Sequence, residues 1–108
     1  MLRISSLKKL VTDSMAIDLG TASTIIAVKG RGVVLDEPSL VAINEISEEI
    51  VAFGQEAGDM AGREGRDVVV RAPLIGGVVG DFERTKKMLA HFVKKARTGG
   101  SNLSLQAV

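Results

Sequence analysis

Near its N-terminus the 108-residue chain reads Ile17-Asp18-Leu19-Gly20-Thr21-Ala22-Ser23-Thr24, where a carboxylate ends a hydrophobic strand and a turn of small residues follows. Gly20 lets the backbone approach an anion closely, the N–H groups from Gly20 to Ala22 can converge, and the Thr21 hydroxyl adds a donor. Asp18 would lie beside a bound phosphate, which is tolerable only with a cation such as Mg²⁺ between them. The motif therefore predicts a magnesium–nucleotide site, with a plain β-turn and a capping aspartate as the alternative.

The segments around this turn have the composition of strands. Residues 15–19 and 24–28 are rich in β-branched and apolar side chains, and a third strand at 33–35 is ended by Asp36-Glu37-Pro38. Short turns between successive strands predict an antiparallel meander. The pattern predicts further elements downstream: strands at 39–44, 50–54 and 68–70, and a short helix at 55–61.

The C-terminal third contains a clear helix signal. Asp81 is placed as an N-cap, and apolar residues follow at helical spacing, namely Phe82, Met88, Leu89, Phe92, Val93 and Ala96. Of these, Phe82, Leu89, Phe92 and Val93 are expected to form the core face of the helix. Basic residues at 94–97 suit the negative end of the helix dipole, and Gly99-Gly100 can form the C-cap. Residues 103–108 alternate like the start of another strand, which predicts a truncated domain. Strands followed by a helix predict a layered α+β or α/β fold.

Composition excludes several classes of function. A formal net charge of +1 and three Phe without Trp or Tyr do not suit a nucleic-acid partner. The absence of Cys fits a reducing cytoplasm and excludes disulfides and thiol nucleophiles, while the single His91 cannot form a zinc site alone. We expect His91 to be an ordinary surface or partly buried side chain. The longest apolar runs, such as 33–35 and 68–70, are far too short to span a bilayer.

Three stretches together carry a resemblance to a known family. The pattern D-x-G-T-x-x-T, from Asp18 to Thr24, is similar to the first phosphate motif of the actin, Hsp70 and sugar-kinase superfamily. The turn Glu37-Pro38-Ser39, and residues 71–82 with the helix that follows, resemble the bacterial actin-like MreB/Mbl family. The resemblance covers residues 15 to about 95.

This resemblance implies an α/β, actin-like fold of the ribonuclease-H type. The chain would hold only its N-terminal part, which comprises part of subdomain IA plus subdomain IB. Residues 14–38 would form the phosphate-loop strands, 39–98 the part similar to subdomain IB, and 99–108 the start of the next strand. Residues 1–13 would be a separate amphipathic segment.

The resemblance also implies roles for individual residues. Asp18 would carry Mg²⁺ through water, and Gly20, Thr21 and Ala22 would hold phosphate oxygens of ATP. Thr24 would support the turn. Residues 20–22 are called the candidate phosphate loop below.

The family's function would be ATP-dependent assembly of the chain with itself into filaments that guide cell-wall synthesis and so determine rod shape. Membrane proteins of cell elongation would be its partners, and it would be cytoplasmic and peripheral to the inner membrane. In residues 1–13, Leu7, Leu10 and Val11 share one helical face beside two lysines, as in family members whose N-terminal helix lies on the membrane. A solvated tail is the alternative.

Departures from the family pattern limit the expected activity. Ala72 is inserted before Pro73, Gly76 stands where the family tends to have Asp, and Ser23 replaces the more usual Asn. The second phosphate loop, the adenosine-binding segments and the residues that position water would all lie beyond Val108, so we expect no ATP hydrolysis by this chain alone. The alternatives are an Hsp70-like or sugar-kinase-like ATPase fragment, or a non-catalytic interaction module that pairs through residues 103–108.

Overall fold

The first sheet is the antiparallel meander that the sequence predicts. The computed structural model of the protein describes residues 14–62 and 67–98, so the predicted segments 1–13 and 99–108 lie outside the described residues. The sheet has the order β1-β2-β3, with β1 at Met15–Leu19, β2 at Ser23–Val28 and β3 at Gly32–Pro38. Buried Leu19, Ile26 and Leu35 contribute one side chain from each strand to the core.

The third strand is longer than predicted. Asp36-Glu37-Pro38 was expected to end it, yet these residues pair with Ile25, Thr24 and Ser23 of β2, and the strand ends only after Pro38. In the described sheet β3 lies at the edge, where the missing N–H of a proline breaks no ladder bond. Pairing with β2 therefore overrides the turn-like composition of this stretch.

The second sheet has the order β5-β4-β6. Its strands are β4 at Val41–Asn44, β5 at Ile50–Phe53 and β6 at Val68–Arg71, and helix α1 at Gly54–Met60 follows β5 directly. The predicted hairpin of β4 and β5 is confirmed. Its tip, residues 45–49, is exposed, and the Asn44 side chain accepts hydrogen bonds from the N–H groups of Ile46 and Ser47.

A small hairpin that was not predicted lies between the second sheet and the last helix. It joins β7 at Leu74–Ile75 to β8 at Val78–Val79. Gly76 and Gly77 form its turn with positive φ values of 58° and 79°, as a type I′ turn requires. Two-residue strands are too short to show a period in the sequence, so only the glycine pair indicated a turn.

Helix α2, at Phe82–Arg97, closes the core. The predicted N-cap is confirmed, because the Asp81 carboxylate accepts a hydrogen bond of 3.0 Å from the Arg84 N–H. The buried face consists of Thr85, Met88, Leu89, Phe92, Val93 and Ala96. The prediction that Phe82 belongs to this face is wrong, since its side chain is 42% exposed. Side chains of a helix lean toward its N-terminus, so a residue at the first position reaches beyond the packed surface.

One carboxylate connects three elements. Glu37 at the end of β3 accepts a hydrogen bond of 2.5 Å from the Lys95 ammonium on α2 and one of 2.9 Å from the Gln55 N–H at the start of α1. Helix α1 has no side-chain cap of its own at Phe53, so Glu37 supplies the cap from another strand. Gly54, between Phe53 and Gln55, has a φ of 64°. A Cβ at this position would collide with the Glu37 carboxylate and with the Phe92 ring.

We expect Lys95→Met to lower the free energy of unfolding by about 1–3 kcal/mol, because it leaves a largely buried carboxylate without its cation. Urea unfolding followed by circular dichroism measures this value. Lys94→Met, the same change on the exposed neighbouring lysine, is the matched control and should shift it by less than about 0.5 kcal/mol. Equal losses in the two variants would contradict a specific role for the ion pair.

Candidate functional site

The candidate phosphate loop is a tight connection between β1 and β2. Leu19 and Thr24 form the last pair of the ladder, and the Gly20 N–H donates a hydrogen bond of 3.0 Å to the Ser23 carbonyl. A Cβ on Gly20 would lie 3.0 Å from that same carbonyl oxygen, so a larger residue would need the turn to shift by a few tenths of an ångström. The close approach of the backbone to itself therefore favours glycine at this position.

The N–H groups that this loop could offer to an anion are those of Thr21 and Ala22. Both residues are exposed, and no acceptor for their N–H groups is found within the described parts of the chain. The Gly20 N–H points into the turn and is already satisfied. Exposed N–H groups on consecutive residues of a small-residue loop suit an anion such as a phosphate.

Asp18 lies two residues before the loop, on the exposed face of β1 opposite Ile25. Within residues 14–62 and 67–98 its carboxylate has no ion pair, and no group of three or more His, Cys, Asp or Glu side chains forms a metal-ligand cluster there. Mg²⁺ usually keeps several waters and uses one or two carboxylates together with phosphate oxygens. An exposed carboxylate two residues before a loop with exposed N–H groups fits that donor set.

The Thr21 side chain joins the loop to the β7–β8 hairpin. Its hydroxyl oxygen accepts a hydrogen bond of 2.6 Å from the Gly77 N–H. Because the oxygen is the acceptor here, the hydroxyl proton can still be donated to another group. No sequence pattern indicates this contact, since the two residues are 56 positions apart.

Beneath the loop lies a buried pair of hydroxyl groups. Thr24 and Ser39 are fully buried, and their hydroxyl oxygens are 2.8 Å apart. Ser39 donates its hydroxyl proton to the Gly20 carbonyl at 2.7 Å and its N–H to the Ala22 carbonyl at 3.1 Å. Thr24, expected to support the turn, acts through this pair, whereas the contribution of Ser39 was missed.

A second concave region lies away from the loop. A groove of about 540 Å³ runs between the tip of the β4–β5 hairpin and α2, and no residue of the candidate phosphate loop lines it. His91 lies there, exposed, with its ring stacked on Phe53 at a centroid distance of 4.5 Å. Partial burial lowers the pKa of His91, nearby Glu37 opposes the shift and Lys95 adds to it. His91 is thus the ordinary surface side chain that was expected.

Among the described residues, no helix is long and apolar enough to cross a bilayer.

The chain is similar to known proteins of one family. A family model described as MreB/Mbl protein matches residues 12–108. The cell shape-determining protein Mbl of Bacillus subtilis is 48% identical over 86 residues, which are 80% of this chain and 26% of Mbl. The chain therefore spans about a quarter of the length of this relative.

Two crystal structures of MreB5 from Spiroplasma citri are also similar. The structure bound to ADP superimposes with a TM-score of 0.69 and 37% identity, over 78% of this chain and 26% of MreB5. The structure bound to AMPPNP gives a TM-score of 0.65 and 40% identity, over 71% and 23% of the two chains. At this level of identity the similarity extends to the family and is not limited to the fold. The chain belongs to the MreB/Mbl family, rather than to Hsp70-like or sugar-kinase-like proteins, and carries an N-terminal part of the actin-like α/β fold.

Proposed function

We propose that this chain supplies the first phosphate-binding half of an actin-like, ATP-dependent filament protein that determines cell shape. The observation that carries the proposal is the pair of exposed N–H groups on Thr21 and Ala22, which have no acceptor among the described residues, close in sequence to the Asp18 carboxylate, which has no ion pair among them. Two findings support it: a relative is named a cell shape-determining protein, and two structural neighbours were crystallised with adenine nucleotides.

In this proposal each residue has a distinct role toward the nucleotide. The N–H groups of Thr21 and Ala22 and the Thr21 hydroxyl donate to phosphate oxygens, and Gly20 keeps the turn tight. Asp18 would hold Mg²⁺ through water. When bound, Mg²⁺ neutralises phosphate charge and so removes the repulsion between the phosphates and Asp18.

The same geometry argues against catalysis by these 108 residues alone. Phosphoryl transfer depends on positioning and on charge stabilisation from both sides of the phosphate. The described residues supply one loop and one carboxylate, and the chain spans about a quarter of the length of Mbl. Binding without turnover is the activity that we assign to this chain.

For the whole protein we propose self-assembly into filaments in the cytoplasm, at the inner membrane, together with membrane proteins of cell elongation. Contact with the membrane is assigned to Leu7, Leu10 and Val11, which lie outside the described residues. Two helical turns with three apolar side chains bind an interface only weakly, so assembly into filaments would have to multiply the effect.

The proposed site is tested by isothermal titration calorimetry of the purified chain with Mg-ATP. We expect Asp18→Ala to weaken binding at least about tenfold, which corresponds to ~1.4 kcal/mol, because Mg²⁺ loses its protein contact. Glu49→Ala, which removes an exposed carboxylate at the β4–β5 tip, is the control and should bind as the wild type does.

Removal of Mg²⁺ with EDTA sharpens this test. It should weaken binding by the wild type and have little further effect on Asp18→Ala, since the two changes remove the same interaction. Equal affinity of Asp18→Ala and wild type would overturn the assignment of Asp18. Absence of binding by a folded wild-type chain would show that this half-site needs the rest of the domain.

We expect no magnesium-dependent release of phosphate from ATP above the rate in buffer, because the described residues supply only one side of the phosphate site. A colorimetric phosphate assay on the same preparation measures the rate, with Asp18→Ala as the control for contaminating ATPases. Steady turnover by the wild type that disappears in Asp18→Ala would refute the assignment of binding without catalysis.

We expect Leu7→Glu to reduce co-sedimentation of the chain with anionic liposomes, because a charge would enter the apolar face. Ser5→Glu introduces the same charge on the opposite face of the proposed helix and serves as the matched control. If both variants sediment like the wild type, the N-terminal segment does not anchor the chain.

A further inference from the structure

We propose that Ser39 is a positioning residue for the candidate phosphate loop: it orients the Thr21 N–H toward the ligand without touching the ligand itself. The inference rests on the proposed function of that loop. It adds a residue outside the D-x-G-T-x-x-T motif, on a different strand connection 19 positions away from Gly20.

The first observation is that Ser39 binds both ends of the loop. Its hydroxyl donates to the Gly20 carbonyl at 2.7 Å, and its N–H donates to the Ala22 carbonyl at 3.1 Å. Two of the three loop residues are therefore held by one residue from below. Because Ser39 is 0% exposed, its donors are shielded from water, although the acceptor residues Gly20 and Ala22 are partly or fully exposed.

The second observation concerns the direction of the N–H groups. In a planar trans peptide the C=O of one residue and the N–H of the next point in opposite directions. The Gly20 carbonyl shares its peptide group with the Thr21 N–H. When Ser39 draws that carbonyl into the interior, the Thr21 N–H is forced to point outward, where an anion can reach it.

Ser39 is itself held on both sides. It follows Pro38, whose ring restricts φ, and the Leu40 N–H donates to the Pro38 carbonyl at 2.9 Å. The Leu40 carbonyl accepts from the Gly54 N–H at 2.9 Å, which ties this turn to the start of α1. A side chain on so constrained a backbone can hold the loop in one orientation.

The direction of the hydrogen bond between Thr24 and Ser39 follows from the bond that Ser39 makes to Gly20. Ser39 has a single hydroxyl proton, which goes to the Gly20 carbonyl, so the Thr24 hydroxyl must be the donor in the 2.8 Å contact. Thr24 therefore supports Ser39 and makes no contact of its own with the loop carbonyls. Thr85 offers a contrast, because its buried hydroxyl has no partner among the described residues.

Two roles of Ser39 can be distinguished by mutation: positioning of the loop, or only satisfaction of the hydrogen bonds of a buried site by its hydroxyl. If Ser39 only filled its site, Ser39→Ala and Thr24→Val would affect the chain alike, since both remove one end of the same hydroxyl pair. If Ser39 positions the loop, Ser39→Ala should disturb residues 20–22 far more than Thr24→Val does.

The test is amide hydrogen exchange of the ¹⁵N-labelled full chain, measured by NMR on wild type, Ser39→Ala, Thr24→Val and Thr85→Val. In Ser39→Ala we expect exchange of the Gly20 amide, which donates to Ser23 within the turn, to accelerate about tenfold relative to the core amide of Ile26. Thr24→Val should give about a twofold change, and Thr85→Val, which removes a buried hydroxyl far from the loop in sequence, should give none.

A second arm measures Mg-ATP affinity of the same variants by calorimetry. We expect Ser39→Ala to weaken binding about tenfold and Thr85→Val to leave it unchanged. If amide exchange in Ser39→Ala accelerates equally at Gly20 and Ile26, Ser39 stabilises the fold as a whole and does not position the loop, and the proposal is overturned. Faster exchange at Gly20 with unchanged affinity would overturn it as well.

The two arms distinguish this inference from the proposed function. If the wild type binds Mg-ATP and Ser39→Ala binds it equally well, the positioning role fails and the proposed function stands. If the wild type binds no nucleotide, nucleotide binding by the isolated chain fails, and the exchange arm alone decides whether Ser39 orients the loop.

Discussion

The Glu37 carboxylate accepts hydrogen bonds from the Lys95 ammonium and the Gln55 N–H, and only 12% of its side chain is exposed. A carboxylate so far from water is stable only when it is paired and hydrogen-bonded, so β3, α1 and α2 must adopt one mutual arrangement. The following residues of the same strand end are thereby fixed in place. Pro38 pairs with Ser23, and Ser39 comes to lie under the candidate phosphate loop.

Much of the fold could be predicted because its elements are determined locally. The first two strands and the turn between them follow from composition, and α2 follows from its apolar period and its Asp81 cap. The predictions failed where a distant partner decides the outcome. Residues 36–38 have turn-like composition and are nevertheless paired with β2, and Phe82 has the right spacing for the buried face but lies beyond the packed end of the helix.

In the candidate site, too, the locally determined features could be predicted and those that depend on a distant partner could not. The residue types that suit a metal nucleotide, an aspartate followed by glycine and threonine, could be recognised in eight consecutive positions. The orientation of these residues could not be predicted, because it depends on hydrogen bonds to residues that are distant in sequence. Gly77 donates to Thr21, and Ser39 binds two of the loop carbonyls. None of these partners is spaced from the loop by a period that a sequence pattern would show.

The energetic argument for such contacts is that a loop ordered only by its ligand weakens binding. Restricting the backbone of one residue costs roughly 1–2 kcal/mol of conformational entropy, so ordering three loop residues would offset several kcal/mol of contact energy. If Ser39 fixes the peptide groups during folding, that cost no longer falls on the binding step, and the donors are already aimed where the phosphate charge would lie. Preorganisation of this loop would therefore raise the affinity for a phosphate without adding any contact to the ligand.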